Sequence, residues 1–192
     1  MEDMTALREQ LEYYRARAQE YDQWWLRQGR YDRGAALNAQ WLADAGELTS
    51  ALEAFRPAGH ILELACGTGI WTERLLPFAS QLTALDGSPE MLAINAARLR
   101  SPKVRYIEAD IFDWRSDERF DTVFFGFWLS HVPPERFAAF WETVRGCLAP
   151  GGRVVRPHAP PPDLLARLRH RAHGHGSGVQ RAGPGVPLPG RS

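Results

Sequence analysis

The segment Ile61-Leu-Glu-Leu-Ala-Cys-Gly-Thr-Gly-Ile-Trp-Thr72 leaves the chain few folds to choose from. It starts as a short apolar run broken by Glu63, which reads as a buried strand. It then turns through Ala65-Cys-Gly-Thr-Gly69 and resumes over Trp71-Thr-Glu-Arg-Leu-Leu76 as a helix. A strand, a tight turn and a helix N-terminus together bring backbone N–H groups towards a bound ligand. Gly67 and Gly69 suit the turn because a Cβ would obstruct either the backbone or the approaching ligand.

Seventeen residues beyond Gly69, Leu82-Thr-Ala-Leu-Asp86 is a second apolar run ending in a carboxylate. In a doubly wound sheet the second strand ends beside the first glycine turn, where an acid can accept from both ribose hydroxyls. Dinucleotide sites and S-adenosylmethionine (SAM) sites share that arrangement. The residues therefore narrow the ligand to an adenosine derivative without choosing one.

The flanking chain alternates helix and strand signals. Upstream, Leu7, Leu11, Tyr14, Ala18, Tyr21 and Trp25 recur at steps of four and three, predicting one helical stripe over Thr5 to Leu26. Tyr13, Asp22 and Trp24 sit around it. Such a stripe packs against the domain or closes over the ligand. Gly29 to Gly34 reads as a loop, and a second helix runs from Ala35 to Phe55, bent near Gly46 and ending at Pro57-Ala-Gly59. Downstream, Ser88-Pro89-Glu90 supplies an N-cap, a first-turn proline and an acid for a helix reaching Leu99. Lys103 to Glu108 alternates as a strand, and Phe120 to Gly126 is nearly all apolar, as a central parallel strand should be. Pro133-Pro134-Glu135 opens a helix whose stripe is Phe137, Phe140, Trp141, Val144 and Leu148. Pro150-Gly151-Gly152 then turns the chain into a fifth strand, Arg153-Val-Val155. Alternating strands and helices imply a parallel, doubly wound α/β sheet with right-handed crossovers.

Beyond Val155 the composition changes. Arg156 to Ser192 holds seven prolines, six glycines, six arginines and four histidines in 37 residues, with Asp163 as its one acid. Such a segment has too little apolar surface to offset an ordering entropy of roughly 1–2 kcal/mol per residue, so it is expected to be disordered. His170, His173 and His175 are not expected to form a metal site, since nothing fixes them. The sequence thus divides into a helical region over 1–56, a sheet domain over 57–155 and a tail over 156–192.

Composition excludes several function classes. The 192 residues carry zero formal net charge, which gives no global field for nucleic acid or an anionic membrane. No apolar run approaches the roughly 20 residues of a membrane span, and the N-terminus lacks the marks of a signal peptide. Cytoplasm is the expected compartment. Cys66 and Cys147 have neither metal nor redox-motif spacing, and Cys66 reads as the small residue that its turn needs.

Taken together, these motifs resemble the class I SAM-dependent methyltransferases. The resemblance rests on Glu63-Leu-Ala-Cys-Gly-Thr-Gly69, Leu85-Asp-Gly-Ser-Pro-Glu-Met91, Glu108-Ala-Asp-Ile111, Phe120-Asp-Thr-Val-Phe-Phe-Gly126 and Leu148-Ala-Pro-Gly-Gly-Arg-Val154, in that order. It covers roughly Pro57 to Val155 and is nearest to the small-molecule branch that includes menaquinone and ubiquinone methyltransferases. Glu12 to Asp22 looks like that branch's cofactor-covering helix, an N-terminal helical lid.

The resemblance implies a Rossmann-like, mostly parallel sheet and SAM as cofactor. Gly67 and Gly69 would approach the methionine part of SAM, Asp86 with Gly87 the ribose, and Asp110 the adenine amino group with Ile111 beside the ring. Glu63 would hold the glycine turn or accept from the cofactor's ammonium. His131, just after the fourth strand, is the candidate general base, and equally a residue that caps the following turn. Tyr14, Tyr21 and Trp128 would belong to the lid or to the site of a small, apolar or aromatic methyl acceptor. Ala65 stands where the family often has a third glycine. Family members continue after the fifth strand with a helix and an antiparallel strand pair, and nothing after Val155 resembles that pair. The sheet is therefore expected to stop at its fifth strand. Two rival readings remain at this point: a SAM-binding remnant without turnover, and a nicotinamide-dependent oxidoreductase, whose usual third glycine would fall on Thr72.

Overall fold

In the computed structural model, residues 18–157 are described here. Tyr14, the first part of the lid helix and the tail from His158 onward lie outside the described residues. Their expected roles are not addressed by the structure.

Five strands form one parallel sheet: β1 (Gly59–Leu64), β2 (Ala79–Asp86), β3 (Val104–Glu108), β4 (Phe120–Phe124) and β5 (Leu148–Val155). Their order across the sheet is β3-β2-β1-β4-β5. The chain winds outward from β1 through β2 to β3, then returns to β4 on the other side of β1. The switch point therefore lies between β1 and β4, where the crevice of an open α/β sheet forms. The doubly wound expectation holds, and β5 is the last strand among the described residues.

Among the described residues, five helices accompany the sheet: α1 (Ala18–Trp25), α2 (Ala35–Phe55), α3 (Ile70–Leu75), α4 (Pro89–Leu99) and α5 (Phe137–Cys147). α2 runs unbroken through Gly46 and ends on Arg56 in the left-handed conformation, φ 50°. α4 starts as its sequence dictates: the Ser88 side chain accepts from the Met91 N–H at 3.3 Å, with Pro89 in the first turn.

Side-chain alternation along the strands divides the sheet into two unlike faces. Leu62, Leu64, Leu85, Val123 and Phe125 meet Phe140, Val144 and Cys147 of α5 in one apolar core. The other face carries Ile61, Glu63, Leu82 and Ala84 towards α3 and α4. Glu63 is only 1% exposed there.

Two details of the sequence reading are corrected. Phe137, assigned to the buried stripe of α5, is 39% exposed, because a 3-10 turn over Pro134–Arg136 precedes it and leaves it at the helix's open N-terminus. β5 begins at Leu148 rather than Arg153. The Pro150-Gly151-Gly152 segment forms an irregularity within the strand, where the register shifts between the pairs Phe120–Leu148 and Thr122–Arg153. Gly152 is needed at that shift, since a Cβ would lie 2.9 Å from the carbonyl oxygens of Ala149 and Phe120.

Candidate functional site

The site is built at the C-terminal ends of β1, β2 and β3. β1 leads into a turn in which Ala65 (φ 54°), Gly67 (φ 53°) and Gly69 (φ 92°) all take left-handed conformations. Asp86, at the end of β2, fastens this turn. Its Oδ2 accepts from the Gly67 N–H at 2.9 Å and its Oδ1 from the Ser88 N–H at 2.9 Å. The backbone continues the junction: the Cys66 N–H donates to the Leu85 carbonyl at 3.0 Å, and the Ala109 N–H to the Asp86 carbonyl at 3.1 Å. Glu63, Gly67, Gly69, Asp86, Gly87, Asp110 and Ile111 thus lie at or just beyond the C-terminal ends of three adjacent strands.

A polar chain, buried except at the half-buried Tyr106, lies beneath the turn. Tyr106 on β3 donates its hydroxyl to Asn95 Oδ1 at 2.9 Å. Asn95 Nδ2 in turn donates to Thr72 Oγ1 at 2.8 Å and reaches the Gly67 carbonyl at 3.4 Å. Thr72 hydrogen-bonds the carboxyl of Glu63, whose Oε2 is buried without a partner. Asn95 also explains Gly69, because a Cβ there would sit 2.6 Å from the Asn95 amide oxygen. Around Gly67 the situation differs: an added Cβ would meet no atom of the described residues within 4 Å, so among them the turn has an open side.

The electrostatics follow from this burial. Desolvation raises the Glu63 carboxyl to about 8; the Thr72 hydrogen bond opposes that rise and the nearby Asp86 adds to it. Glu63 is therefore mainly protonated at neutral pH, so its unpartnered oxygen is not a bare charge. Burial also raises Asp86, against the pull of the N–H groups of Gly67, Ser88 and Gly87. Burial, with Glu63 and Asp86 nearby, pushes the Cys66 thiol well above its ordinary range. That suits a packing role rather than a nucleophile.

The remaining predicted residues fall nearby or elsewhere. Asp110 accepts the Phe112 N–H on Oδ1 at 2.9 Å, closing a local turn, and Ile111 is buried. Trp128 and His131 lie in the 3-10 turn Trp128–His131 after β4, with their rings 6.2 Å apart. Trp128 also lies 6.1 Å from Phe112, linking the loops after β3 and β4, and its Nε1 is buried without a partner. Tyr21 packs on Trp24 at 5.4 Å within α1. Trp25 is 5% exposed and packs edge-on to Trp41, Trp71 and Phe127, so its ring anchors the helix.

Sequence reasoning gave no role to Asp22, Thr72, Asn95 or Tyr106. Asp22 ties α1 to the glycine turn: Thr68 Oγ1 donates to its Oδ1 at 2.7 Å, and Arg98 pairs with the other oxygen. A signal existed for Asn95, a polar residue four positions after Met91 on an otherwise apolar helix face. Its partners lie 23 and 28 residues upstream and 11 downstream, and no local pattern points to them.

Comparison with known proteins agrees with this geometry. A family model described as "Methyltransferase domain" matches residues 61–152. The chain is 41% identical over 114 residues to the trans-aconitate 2-methyltransferase of Acidovorax sp. (strain JS42), covering 58% of this chain and 42% of that protein. To the demethylmenaquinone methyltransferase of Clavibacter sepedonicus it is 35% identical over 112 residues, covering 56% and 45%. The chain thus spans less than half the length of these curated relatives. The solved DhpI–SAM–HEP complex superposes with a TM-score of 0.67 at 40% identity, covering 89% of this chain and 73% of that one. The chain belongs to the class I SAM-dependent methyltransferases.

SAM is the cofactor of this family, and the residues present fit it. Asp86 takes the N–H groups of Gly67, Ser88 and Gly87, and its carboxylate, with about four lone-pair sites, keeps acceptor capacity for a ribose hydroxyl. The open side of Gly67 admits a ligand against the backbone. The unpartnered oxygen of Glu63 lies beneath the same turn. Family membership also decides between the two adenosine ligands that the glycine turn alone left open. Among the described residues, no helix is long and apolar enough to cross a membrane.

Proposed function

We propose that the chain is the cofactor-binding and catalytic core of a methyltransferase acting on a small molecule by direct in-line transfer. The observation that carries this reading is the junction of Asp86 with Gly67 at the C-terminal ends of β1 and β2, where one carboxylate orders the turn and still has acceptor capacity to offer. SAM supplies a methyl already activated on a sulfonium. The protein's share is binding, orientation and exclusion of water, and orientation alone can contribute roughly 7–11 kcal/mol.

In this reading Gly67, Gly69, Asp86 and Gly87 hold the methionine and ribose parts of the cofactor. Asp110 and Ile111 take the adenine. α1 serves as the lid, with Asp22 joining it to Thr68 of the turn. The lid seats through Trp25 against Trp71 and Phe127. Trp128 offers an apolar ring with an unpartnered N–H, which suits a largely apolar methyl acceptor carrying one hydrogen-bond-accepting atom. His131 beside it would accept the proton of a nucleophile that must lose one.

The test is transfer of label from methyl-labelled SAM to a panel of small carboxylic acids, phenols and amines. A labelled product that depends on Asp86 supports the proposal. Cofactor binding with no transfer to any panel member would instead favour a binding remnant.

A further inference from the structure

Two features beneath the glycine turn remain outside the proposed chemistry. One is a carboxyl oxygen, Glu63 Oε2, sealed from solvent without a hydrogen-bond partner. The other is the chain from Tyr106 through Asn95 to Thr72, which ends on that same carboxyl. The polarity of the chain is set from its far end. The Tyr106 hydroxyl occupies Asn95 Oδ1, so the Asn95 amide N–H faces Thr72 Oγ1. Thr72 then has its own O–H left to give, and it gives it to Glu63. That donation favours the ionised carboxylate, whereas burial favours the neutral acid. The carboxyl is thus balanced between two states.

We propose that SAM binding is coupled to loss of a proton from Glu63, with Asn95, acting through Thr72, as the residue that positions the carboxyl for this exchange. The inference rests on the cofactor placement of the preceding subsection, in which the cationic methionine end of SAM meets the glycine turn. In the free protein Glu63 holds a proton, because a bare carboxylate buried here would be costly. When a cationic group arrives, the ionised form gains a partner and the proton leaves to solvent.

The groups facing Glu63 do not replace it in this role. Asp86 on β2 is engaged by backbone N–H groups in the free protein. Cys66 in the turn is held well above its ordinary range by burial. Tyr106 on β3 is pushed up to about 12 by burial, with Cys66 and Glu63 adding to the rise. Thr72 on α3 and Asn95 on α4 do not titrate, and Phe124, paired with Glu63 across β4, is apolar. Glu63, with a carboxyl raised to about 8, changes its proton occupancy near neutrality.

The experiment is calorimetric titration of the full chain with SAM in two buffers of different ionisation heat, which counts protons exchanged on binding. Near about pH 6.5 the wild type should release about one proton per SAM and the Glu63→Gln variant about none. Near about pH 9, where Glu63 is already ionised, the two should exchange equal numbers. Asn95→Ala removes the donor that orients Thr72, so the release window should move to higher pH. A purely structural Asn95 would weaken binding and leave that window in place. The wild-type count near pH 6.5 needs no variant, and SAM binding without proton release would overturn this inference alone. Absence of SAM binding would overturn the cofactor placement with it.

Discussion

The two faces of the sheet are built by opposite rules. Under α5, Leu62, Leu64, Val123 and Phe125 meet Phe140 and Val144 with no titratable group but the Cys147 thiol. Under α3 and α4, the same strands present Glu63 to Thr72 and Asn95, and each of these three polar residues is almost fully buried. The first face contributes stability and needs only shape. The second gives some of that stability up, because a raised carboxyl and an unpartnered oxygen both cost free energy. Placing the cost on the face beneath the glycine turn puts it where a cationic ligand can relieve it.

The difference can be broken from either side. The largest effect is expected on the apolar face. Phe140 is 1% exposed, and its ring meets Phe125 edge-on at 5.2 Å. Phe140→Ala should cost about 3–5 kcal/mol in denaturant unfolding, the range for large-to-small changes of buried aromatics. SAM affinity of the protein that remains folded should change little. A selective loss of affinity would mean that the two faces are not separable.

The polar face should respond in the opposite sense. The Glu63 carboxyl lies at about 8 in the folded chain against an ordinary 4.5. The folded state thus keeps a proton that the unfolded state loses. Below the unfolded value Glu63 carries no penalty. From there up to about pH 8 stability falls by as much as about 1.4 kcal/mol per pH unit, and above that the penalty is constant. Glu63→Gln should therefore gain on the order of 3–4 kcal/mol relative to wild type between pH 5 and pH 8, while binding SAM less well. Chemical denaturation at the two pH values reads the gain. A difference that does not grow with pH would remove Glu63 as its source.

The smallest effect sharpens the account of the turn itself. Ala65 adopts φ 54°, a left-handed conformation that costs a residue with a Cβ about 1–2 kcal/mol. Ala65→Gly relieves that strain but adds unfolded-chain entropy of about 0.4–1 kcal/mol. A net gain of up to about 1 kcal/mol is expected, with SAM affinity kept. Destabilisation would show that the methyl group of Ala65 packs usefully against the apolar core.

Most of the fold was legible because its signals are local. The Ser88-Pro89 start of α4, the Ala35–Phe55 span of α2 and the apolar β4 run all announce themselves within a few residues. The start of β5 was not legible, because Pro150-Gly151-Gly152 reads as a turn even though pairing with β4 resumes on both sides of it. Asp86 was found as a candidate, yet its bond to Gly67 spans 19 residues and could be expected only from the topology. Asp22 was beyond reach. Its bond to Thr68 spans 46 residues, and an acid beside an amphipathic stripe ordinarily faces water.

The central claim is that a SAM site lies at the junction of Asp86 with the glycine turn, and binding by the full chain tests it most directly. Parallel calorimetric titrations with SAM and with NAD, on the wild type and on Asp86→Ala, suffice. The account predicts one SAM site, no NAD binding, and a loss of about 1.5–3 kcal/mol of SAM affinity in a variant that remains folded. SAM binding that survives Asp86→Ala unchanged, or NAD binding in its place, would contradict it.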